Sequence, residues 1–234
     1  MQSLDLEIVL PHRLTHESRP ARGARASERA STTRVWGVLG GIASGKSSVA
    51  RLLAGPDGLA IDADALVGEL YARPEFRARV AQAFGPGVMA ASGAVDRAAL
   101  AQRVFADPAA RVQLESWIHP AVRDEIRARL AAARASGVPR VVLDVPLLLE
   151  NEAEHRLTAE CDALIFVDAP LAEREARAVR SRGWAAGEVA RREAQQLALP
   201  AKRARAQHVI VNDGDPTRLE HQARELTLRL ETLR

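Results

Sequence analysis

The chain has 234 residues, with 33 Lys and Arg against 30 Asp and Glu, which gives a net charge of +3. Its length and its 47% hydrophobic content suit one soluble domain, or one domain with a small subdomain. A single cysteine, Cys161, excludes an intramolecular disulfide framework and a cysteine-based zinc site. Only two of the 33 cations are lysines, Lys46 and Lys202, so the other 31 are arginines.

Residues 1–33 mix Pro, Ser, Thr, Glu and Arg without periodicity, which predicts a flexible N-terminal extension. The alternative is a basic arm that binds RNA or an acidic partner, because arginines cluster between Arg13 and Arg34. Neither a secretory signal pattern nor an apolar run of the roughly 18 residues that a membrane span requires is present in the sequence. A cytoplasmic protein without a membrane partner is therefore expected.

Five short and nearly continuous apolar runs follow, and each is typical of a strand covered on both faces. They occupy residues 35–39, 59–62, 141–145, 163–168 and 208–212. Amphipathic stretches rich in Arg and Ala separate them, which predicts alternating strands and helices. This alternation favours an α/β fold with a five-stranded parallel sheet between two helical layers.

About 78 residues separate the second predicted strand from the third, too many for one crossover helix. Helical patterns cover residues 64–73, 75–84, 96–106 and 109–134. They predict a helical insertion over about 65–137, above the edge of the sheet where ligands bind in such folds. A second helical and Arg-rich stretch, about 174–206, is the candidate lid.

A phosphate-binding loop occupies residues 40–47, which read Gly-Gly-Ile-Ala-Ser-Gly-Lys-Ser. The loop follows a predicted strand and opens a predicted helix, the context that supports this motif. Its backbone N–H groups converge on phosphate oxygens, Lys46 reaches the β- and γ-phosphates, and the Ser47 hydroxyl ligates Mg²⁺. The residues predicted to bind ATP here are Gly41, Ile42, Ala43, Ser44, Gly45, Lys46, Ser47 and Ser48.

Two acids, Asp62 and Asp64, follow the second predicted strand, near the expected position of the phosphates. A carboxylate beside an acceptor hydroxyl orients it and accepts its proton during phosphoryl transfer. Side chains alternate at a strand end, so only one of the two acids need face the site. The alternative role for Asp64 is to cap the helix that follows.

Three further features complete the candidate site. Asp144 ends the third predicted strand, where a carboxylate holds Mg²⁺ in related phosphate-loop proteins. His119 precedes Pro120, which is expected to break or restart the surrounding helix. Arginines of the candidate lid are expected to neutralise charge on the transferred phosphoryl group, although their spacing does not say which.

Several classes of phosphate-loop protein are excluded because the sequence lacks their motifs or their length. A GTPase needs an Asn/Thr-Lys-x-Asp signature, and the only lysine after the loop, Lys202, does not lie in one. Motors and helicases need longer chains. The motifs therefore favour a kinase that acts on a small molecule.

The sequence resembles the dephospho-CoA kinase family over roughly residues 34–230. Beyond the phosphate loop, the matching motifs are Asp-Ala-Asp at 62–64, His-Pro at 119–120 and Pro-Leu-Leu-x-Glu at 146–150. An Arg-Gly-Trp motif at 182–184 and an Ile-x-Asn-x-Gly motif at 210–214 complete the resemblance. Ala43 stands where many members have Gly, and Ser48 where many have Thr.

The resemblance implies transfer of the γ-phosphoryl group of ATP to the ribose 3′-hydroxyl of dephospho-CoA, the last step of coenzyme A synthesis. It implies that Asp64 activates that hydroxyl, that Arg177 is a lid arginine near the phosphates, and that Asn212 and Gly214 lie beside the adenine. It also implies that the helical insertion binds the acceptor, with Asp62, Asp64 and His119 as contacts. A monomer or weak homo-oligomer without a nucleic-acid partner is expected.

Two other functions stay open at this point. A related kinase could phosphorylate another small acceptor, such as a nucleoside monophosphate or shikimate. The chain could instead be a nucleic-acid-binding module that its phosphate loop regulates.

Overall fold

Five parallel strands in the order β2-β3-β1-β4-β5 form one sheet in the computed structural model, which describes residues 33–232. The strands are β1 (Arg34–Gly40), β2 (Leu59–Asp62), β3 (Arg140–Asp144), β4 (Ala163–Asp168) and β5 (His208–Val211). The predicted parallel α/β sheet is confirmed. The predicted N-terminal extension lies outside the described residues, apart from the buried Thr33.

Ten α-helices connect or flank these strands within the described range. They are α1 (Lys46–Ala54), α2 (Ala63–Ala72), α3 (Pro74–Phe84), α4 (Arg97–Ala106), α5 (Pro108–Ala135), α6 (Glu152–His155), α7 (Leu171–Arg182), α8 (Glu188–Glu193), α9 (Leu199–Arg205) and α10 (Pro216–Thr232). None of them combines the length and the apolar character that crossing a bilayer requires.

Both faces of the sheet are covered, because successive side chains of a strand point in opposite directions. In β1, Val35 and Leu39 pack with the cluster that includes α2 and α5 residues. Trp36 and Val38 pack on the other face against α1 and α10. This burial on both sides explains why the strands read as continuous apolar runs. The result is a three-layer α/β/α arrangement.

Helices α2 to α5 lie between β2 and β3 and have a hydrophobic core of their own. That core includes Leu70, Val80, Leu100 and Leu114, all buried. Helix α2 joins it to the sheet, because its first turns pack in the sheet cluster through Leu66 and its later turns pack in the insertion through Leu70.

The expectation that Pro120 interrupts its helix is wrong, because α5 runs without a break from Pro108 to Ala135. A proline inside a helix removes one backbone hydrogen bond and costs about 3 kcal/mol. Helix α5 tolerates it because residues on both sides of the proline are buried, among them Ile118 and Ile126. Each such side chain contributes roughly 1.5–3 kcal/mol when buried, so together they outweigh the lost bond.

Helices α7, α8 and α9 lie between β4 and β5. Helices α7 and α8 pack against the phosphate loop, whereas α9 packs through Leu199 against the sheet. Ile42 of the loop is buried against Ala178 of α7 and Val189 of α8. The guanidinium of Arg192 lies 4.1 Å from the ring centroid of Trp184, and that of Arg182 lies 4.8 Å from it. The segment that sequence patterning assigns to a lid is therefore in contact with the loop in this conformation.

Candidate active site

The phosphate loop joins β1 to α1 and depends on glycine at its tightest point. Gly45 precedes α1 with φ near 90°, and a Cβ there would collide with the Asn212 side chain. Glycine is the residue that takes this conformation without steric cost. Ala43 also has a positive φ of 56°, in the left-handed region that disfavours alanine. The loop therefore carries strain at Ala43.

The loop borders a cleft, here called the loop cavity, at the carboxyl ends of β1 and β3. Its ionisable lining residues are Lys46, Asp64, Asp144, Glu150, Arg182 and Lys202, and Ser47 also lines it. This edge of a parallel sheet is where ligands bind in open α/β folds.

Lys46 lies against the loop that precedes it. Its ammonium donates a hydrogen bond to the carbonyl oxygen of Gly41 at 2.9 Å. Burial lowers the pKa of Lys46, Asp144 raises it, and the positive charges of Lys202 and Arg182 lower it further. Several cations thus surround one small volume, as a site for a phosphate chain requires.

Asp144 at the end of β3 is nearly buried and lies next to the first turn of α1. Its carboxylate accepts a hydrogen bond from Ser47, and burial raises its pKa while Lys46 and Ser47 lower it. A carboxylate and a hydroxyl are hard oxygen donors, the type that Mg²⁺ prefers when it arrives with a nucleotide and its own water ligands. The two side chains therefore fit the predicted magnesium site.

Asp62 and Asp64 have different places in the structure. Oδ1 of Asp62 accepts hydrogen bonds from the backbone N–H groups of Asp64 and Ala65, at 2.9 and 3.1 Å. Asp62 is therefore the N-cap of α2, and the alternative that made Asp64 the cap is wrong. Asp64 lies in the first helical turn and lines the loop cavity, whereas Asp62 does not.

Arg177 and Asn212 hold the carbonyl groups of the phosphate loop. Arg177 donates to the carbonyl oxygen of Ser44 at 3.2 Å and to the side-chain oxygen of Asn212 at 3.1 Å. The Asn212 amide nitrogen donates to the same Ser44 carbonyl at 2.8 Å. Gly214, two residues further on, has φ near 105°. In this conformation Arg177 braces the loop, and the guanidinium that lines the loop cavity belongs to Arg182.

Sequence reasoning missed a second brace, formed by Glu193 of α8. Its carboxylate accepts a hydrogen bond from the backbone N–H of Ile42 at 2.7 Å and pairs with buried Arg174. A Cβ on Gly41 would collide with the Glu193 carboxylate, so glycine permits the close approach. The Ile42–Glu193 bond joins residues 151 positions apart, and no local pattern marks such a contact.

Glu150 and Lys202 were not assigned to the site from sequence, although both line the loop cavity. One signal was available for Lys202, namely that lysine is rare in this chain. Arg182, which also lines this cavity, was one of the candidate lid arginines that their spacing could not separate.

A second cleft, here called the insertion cavity, lies between α2, α5 and the segment after β3. His119 lines it, and burial lowers the pKa of His119 while Glu115 and Glu154 raise it. Tyr71, Arg123 and His155 line it too. Within residues 33–232, each of these three has a buried polar atom without a hydrogen-bond partner: Tyr71 Oη, Arg123 Nε and His155 Nε2.

The two cavities meet at Asp64. Both are lined by Asp64, Val145, Pro146 and Leu147, and Asp64 is the one ionisable group among these four. The cavities enclose about 890 and 1170 Å³ of space that includes open solvent, so both are clefts open to the surface. A carboxylate at the junction of two open clefts can act on a group that passes between them.

Comparison with known proteins agrees with this geometry. The sequence profile of the dephospho-CoA kinase family matches residues 34–217. A dephospho-CoA kinase of Symbiobacterium thermophilum is 41% identical over 194 residues, which cover 81% of this chain and 79% of that protein. One from Geobacter sulfurreducens is also 41% identical, over 82% of this chain and 96% of its own.

Among solved structures, a Thermus thermophilus protein superimposes with a TM-score of 0.66 at 34% sequence identity, covering 85% of this chain and 98% of its own. The matched region includes the phosphate loop, both acids after β2, and helices α2 to α5 and α7 to α9. The chain therefore belongs to the dephospho-CoA kinase family.

Proposed function

We propose that this enzyme transfers the γ-phosphoryl group of ATP to the ribose 3′-hydroxyl of dephospho-CoA, which completes coenzyme A. The observation that carries the proposal is the position of Asp64, where the loop cavity and the insertion cavity meet. In this arrangement ATP occupies the loop cavity, and the acceptor enters through the insertion cavity.

ATP binding relies on the phosphate loop. The backbone N–H groups at the start of α1 and the ammonium of Lys46 bind the phosphate oxygens. Arg177 and Asn212 both donate hydrogen bonds to the carbonyl oxygen of Ser44. These bonds support the loop conformation in which the backbone N–H groups face the phosphates. We also assign the Asn212–Gly214 segment to the adenine end of ATP.

Ser47 and Asp144 would hold Mg²⁺ in this scheme. Bound with ATP, the ion neutralises charge on the phosphate oxygens. The Ser47 hydroxyl and the Asp144 carboxylate, which lie within hydrogen-bond distance of each other, would supply two oxygen ligands to it.

Asp64 is the proposed base. Its carboxylate orients the acceptor hydroxyl and accepts the hydroxyl proton as the new bond from oxygen to phosphorus forms. The bond from the γ-phosphorus to the β,γ-bridging oxygen breaks at the same time, and ADP leaves with that oxygen. Asp62 supports this geometry as the cap that fixes the first turn of α2.

The insertion cavity suits an acceptor that carries both polar and apolar groups, because its wall contains side chains of both kinds. Tyr71 Oη, Arg123 Nε and His155 Nε2 have no hydrogen-bond partner among the described residues, although Arg123 Nε lies 3.8 Å from the Asp124 carboxylate, and they could bind a ligand that has several hydrogen-bond acceptors. Leu157 donates its backbone N–H to His155 Nδ1 at 3.0 Å, so in the neutral ring Nε2 carries the proton and donates. His119 lies in the same wall and is proposed to contact the acceptor.

A coupled assay of ADP release tests the proposal, with dephospho-CoA, shikimate and nucleoside monophosphates as alternative acceptors. Turnover is expected with dephospho-CoA alone, and phosphorus NMR should place the new phosphate on the 3′-oxygen. Turnover on shikimate or a nucleotide without turnover on dephospho-CoA would contradict the proposal.

We further propose that the enzyme works in the cytoplasm as a monomer or weak homo-oligomer and has no nucleic-acid or membrane partner. Light scattering after size exclusion tests the oligomeric state. A stable complex at micromolar concentration would contradict it.

A further inference from the structure

Both lysines of the chain line the loop cavity. Of 33 basic residues, 31 are arginines, so the chain uses arginine at nearly every position that needs a positive charge. Lys46 belongs to the phosphate loop, and Lys202 lies in α9, yet both contribute to the same cavity wall. A lysine ammonium is compact and can point one proton at a single oxygen, whereas the guanidinium of arginine is broad and planar.

The Lys202 ammonium is held in place by two neighbours. Its side chain is 5% exposed, and Nζ lies 2.8 Å from Oε1 of Glu150 and 3.0 Å from Oε1 of Gln196. Oε1 of Glu150 also accepts the backbone N–H of Leu197 at 3.2 Å. An ammonium has three N–H donors, and these two contacts use two of them. One donor therefore remains for a ligand in the cavity.

A contribution to the stability of the fold does not by itself explain the ion pair between Lys202 and Glu150. Removing two charges from water offsets most of the attraction between them, and two apolar residues of similar volume often stabilise a fold as well. The pair instead borders the cavity that also contains Asp64, Asp144 and Arg182. In the proposed reaction Asp64 is the base and Asp144 a magnesium ligand, so Lys202 lines the same cavity as the groups that act on the phosphoryl group.

We propose that Lys202 binds the phosphoryl group while it is transferred. Its third N–H donates to one of the three non-bridging oxygens of that group, which lie between the acceptor oxygen and the leaving oxygen, and so stabilises the charge that these oxygens carry. Glu150 and Gln196 act as positioning residues that fix the ammonium before the reaction begins. Donors fixed in advance at the site of reaction account for large rate effects. This inference rests on the proposed kinase function.

The first test compares Lys202→Met with Arg203→Met. Methionine keeps an unbranched stem of similar length and removes the charge, so kcat is expected to fall by about 10²-fold, the typical effect of removing one such donor. The KM values for ATP and acceptor should change little. Arg203 neighbours Lys202 on α9 but is exposed and paired with Asp168, so Arg203→Met should keep the original kcat. Equal kcat values for both variants would overturn the proposal.

A second test separates chemistry from structure, because Lys202→Met leaves the Glu150 carboxylate partly buried without its cation. The double variant Lys202→Met, Glu150→Gln removes that charge, so its thermal unfolding midpoint should recover toward the original value. Its kcat should remain about 10²-fold low. Recovery of kcat together with the midpoint would show that Lys202 acts only on the fold.

Binding gives a readout that a structural role would not produce. The affinity for ADP with aluminium fluoride and the acceptor, which imitates the group in transfer, should fall in Lys202→Met far more than the affinity for ADP. Equal losses would overturn the proposal. All variants are compared on the acceptor that the unaltered enzyme phosphorylates. If that acceptor is not dephospho-CoA, the proposed function is refuted, but the effect of Lys202→Met on kcat can still be interpreted.

Discussion

The loop cavity and the insertion cavity differ in how their polar groups are partnered. Around the loop cavity, Lys46 bonds to Gly41, Asp144 to Ser47, and Lys202 to Glu150. In the insertion cavity, polar atoms of Tyr71, Arg123 and His155 have no hydrogen-bond partner among residues 33–232. Ser44 Oγ of the phosphate loop is likewise without a partner among these residues, but the charged groups of the loop cavity are all held by the protein itself. We therefore expect the insertion cavity to depend more on its ligand to satisfy its polar atoms.

This difference predicts different kinetic consequences for the two regions. Changes at the loop cavity should lower kcat, because they remove groups fixed for the reaction. Changes at the insertion cavity should raise the KM for the acceptor, because they remove contacts that only the ligand completes.

The largest effect is expected for Lys46→Ala. Removing the ammonium beside the phosphates should lower kcat/KM by about 10³-fold or more, while the fold remains intact. The measurement is steady-state kinetics together with circular dichroism. A folded variant that retains activity would refute the assignment of the phosphate loop and remove the basis of the comparison.

The variants Asp64→Asn and Asp62→Asn test which of the two acids acts on the acceptor hydroxyl at the junction of the cavities. Asp64→Asn should lower kcat by roughly 10²-fold or more with little change in ATP affinity, because the amide cannot accept the proton. Asp62→Asn should change kcat much less, since Asn is as good a helix cap as Asp. The opposite order of effects would make Asp62 the base.

Arg123→Met tests the insertion cavity. Loss of a charged donor should raise the KM for the acceptor by about tenfold with kcat and the KM for ATP unchanged. Arg134→Met is the matched control, because Arg134 lies on the same helix and pairs with Glu160 away from both cavities. A loss in kcat for Arg123→Met, with the acceptor KM unchanged, would remove the distinction between the two cavities.

The strands and the phosphate loop were predictable because their signals are local. Continuous apolar runs mark strands buried on both faces, and the bounds found for β2 and β4 are those expected from the runs at 59–62 and 163–168. The position of the helix cap at Asp62, and not at Asp64, was not predictable, because the start of α2 depends on a difference of one or two residues. Element boundaries are where sequence patterns carry least information.

The braces of the loop depend on contacts between distant parts of the chain. Glu193 meets Ile42, and Asn212 meets Ser44, across more than 150 residues in each case. Pro120 is a second case in which packing overrides the local sequence pattern. Its local preference favours a break in the helix, but the burial of neighbouring side chains keeps α5 continuous. Local patterns indicate elements and motifs, whereas packing decides which polar groups meet.

His119 gives a smaller and pH-dependent effect in the insertion cavity. Burial holds its pKa below the usual value of 6.5, so the folded state binds this proton more weakly than the unfolded state does. The stabilisation is therefore full above about pH 6.5 and is lost as the pH falls through the lowered pKa. Urea unfolding at pH 8 and pH 5 should show a smaller loss of stability on acidification in His119→Gln than in the original chain. An equal loss in both proteins would exclude His119 as the source.

The smallest effect is expected at Ala43, the one strained residue inside the phosphate loop that is not glycine. Its φ of 56° lies in the left-handed region, which costs a residue with a Cβ about 1–2 kcal/mol. Glycine removes that strain but adds entropy to the unfolded chain, which returns part of the gain. Ala43→Gly should therefore raise the free energy of unfolding by about 0.5–1 kcal/mol, measured by urea denaturation. The kcat should stay within about twofold, because the backbone N–H groups of the loop are unchanged. Destabilisation by the same amount would mean that packing of the Ala43 methyl group against Ile42, Ala178 and Val189 outweighs its backbone strain.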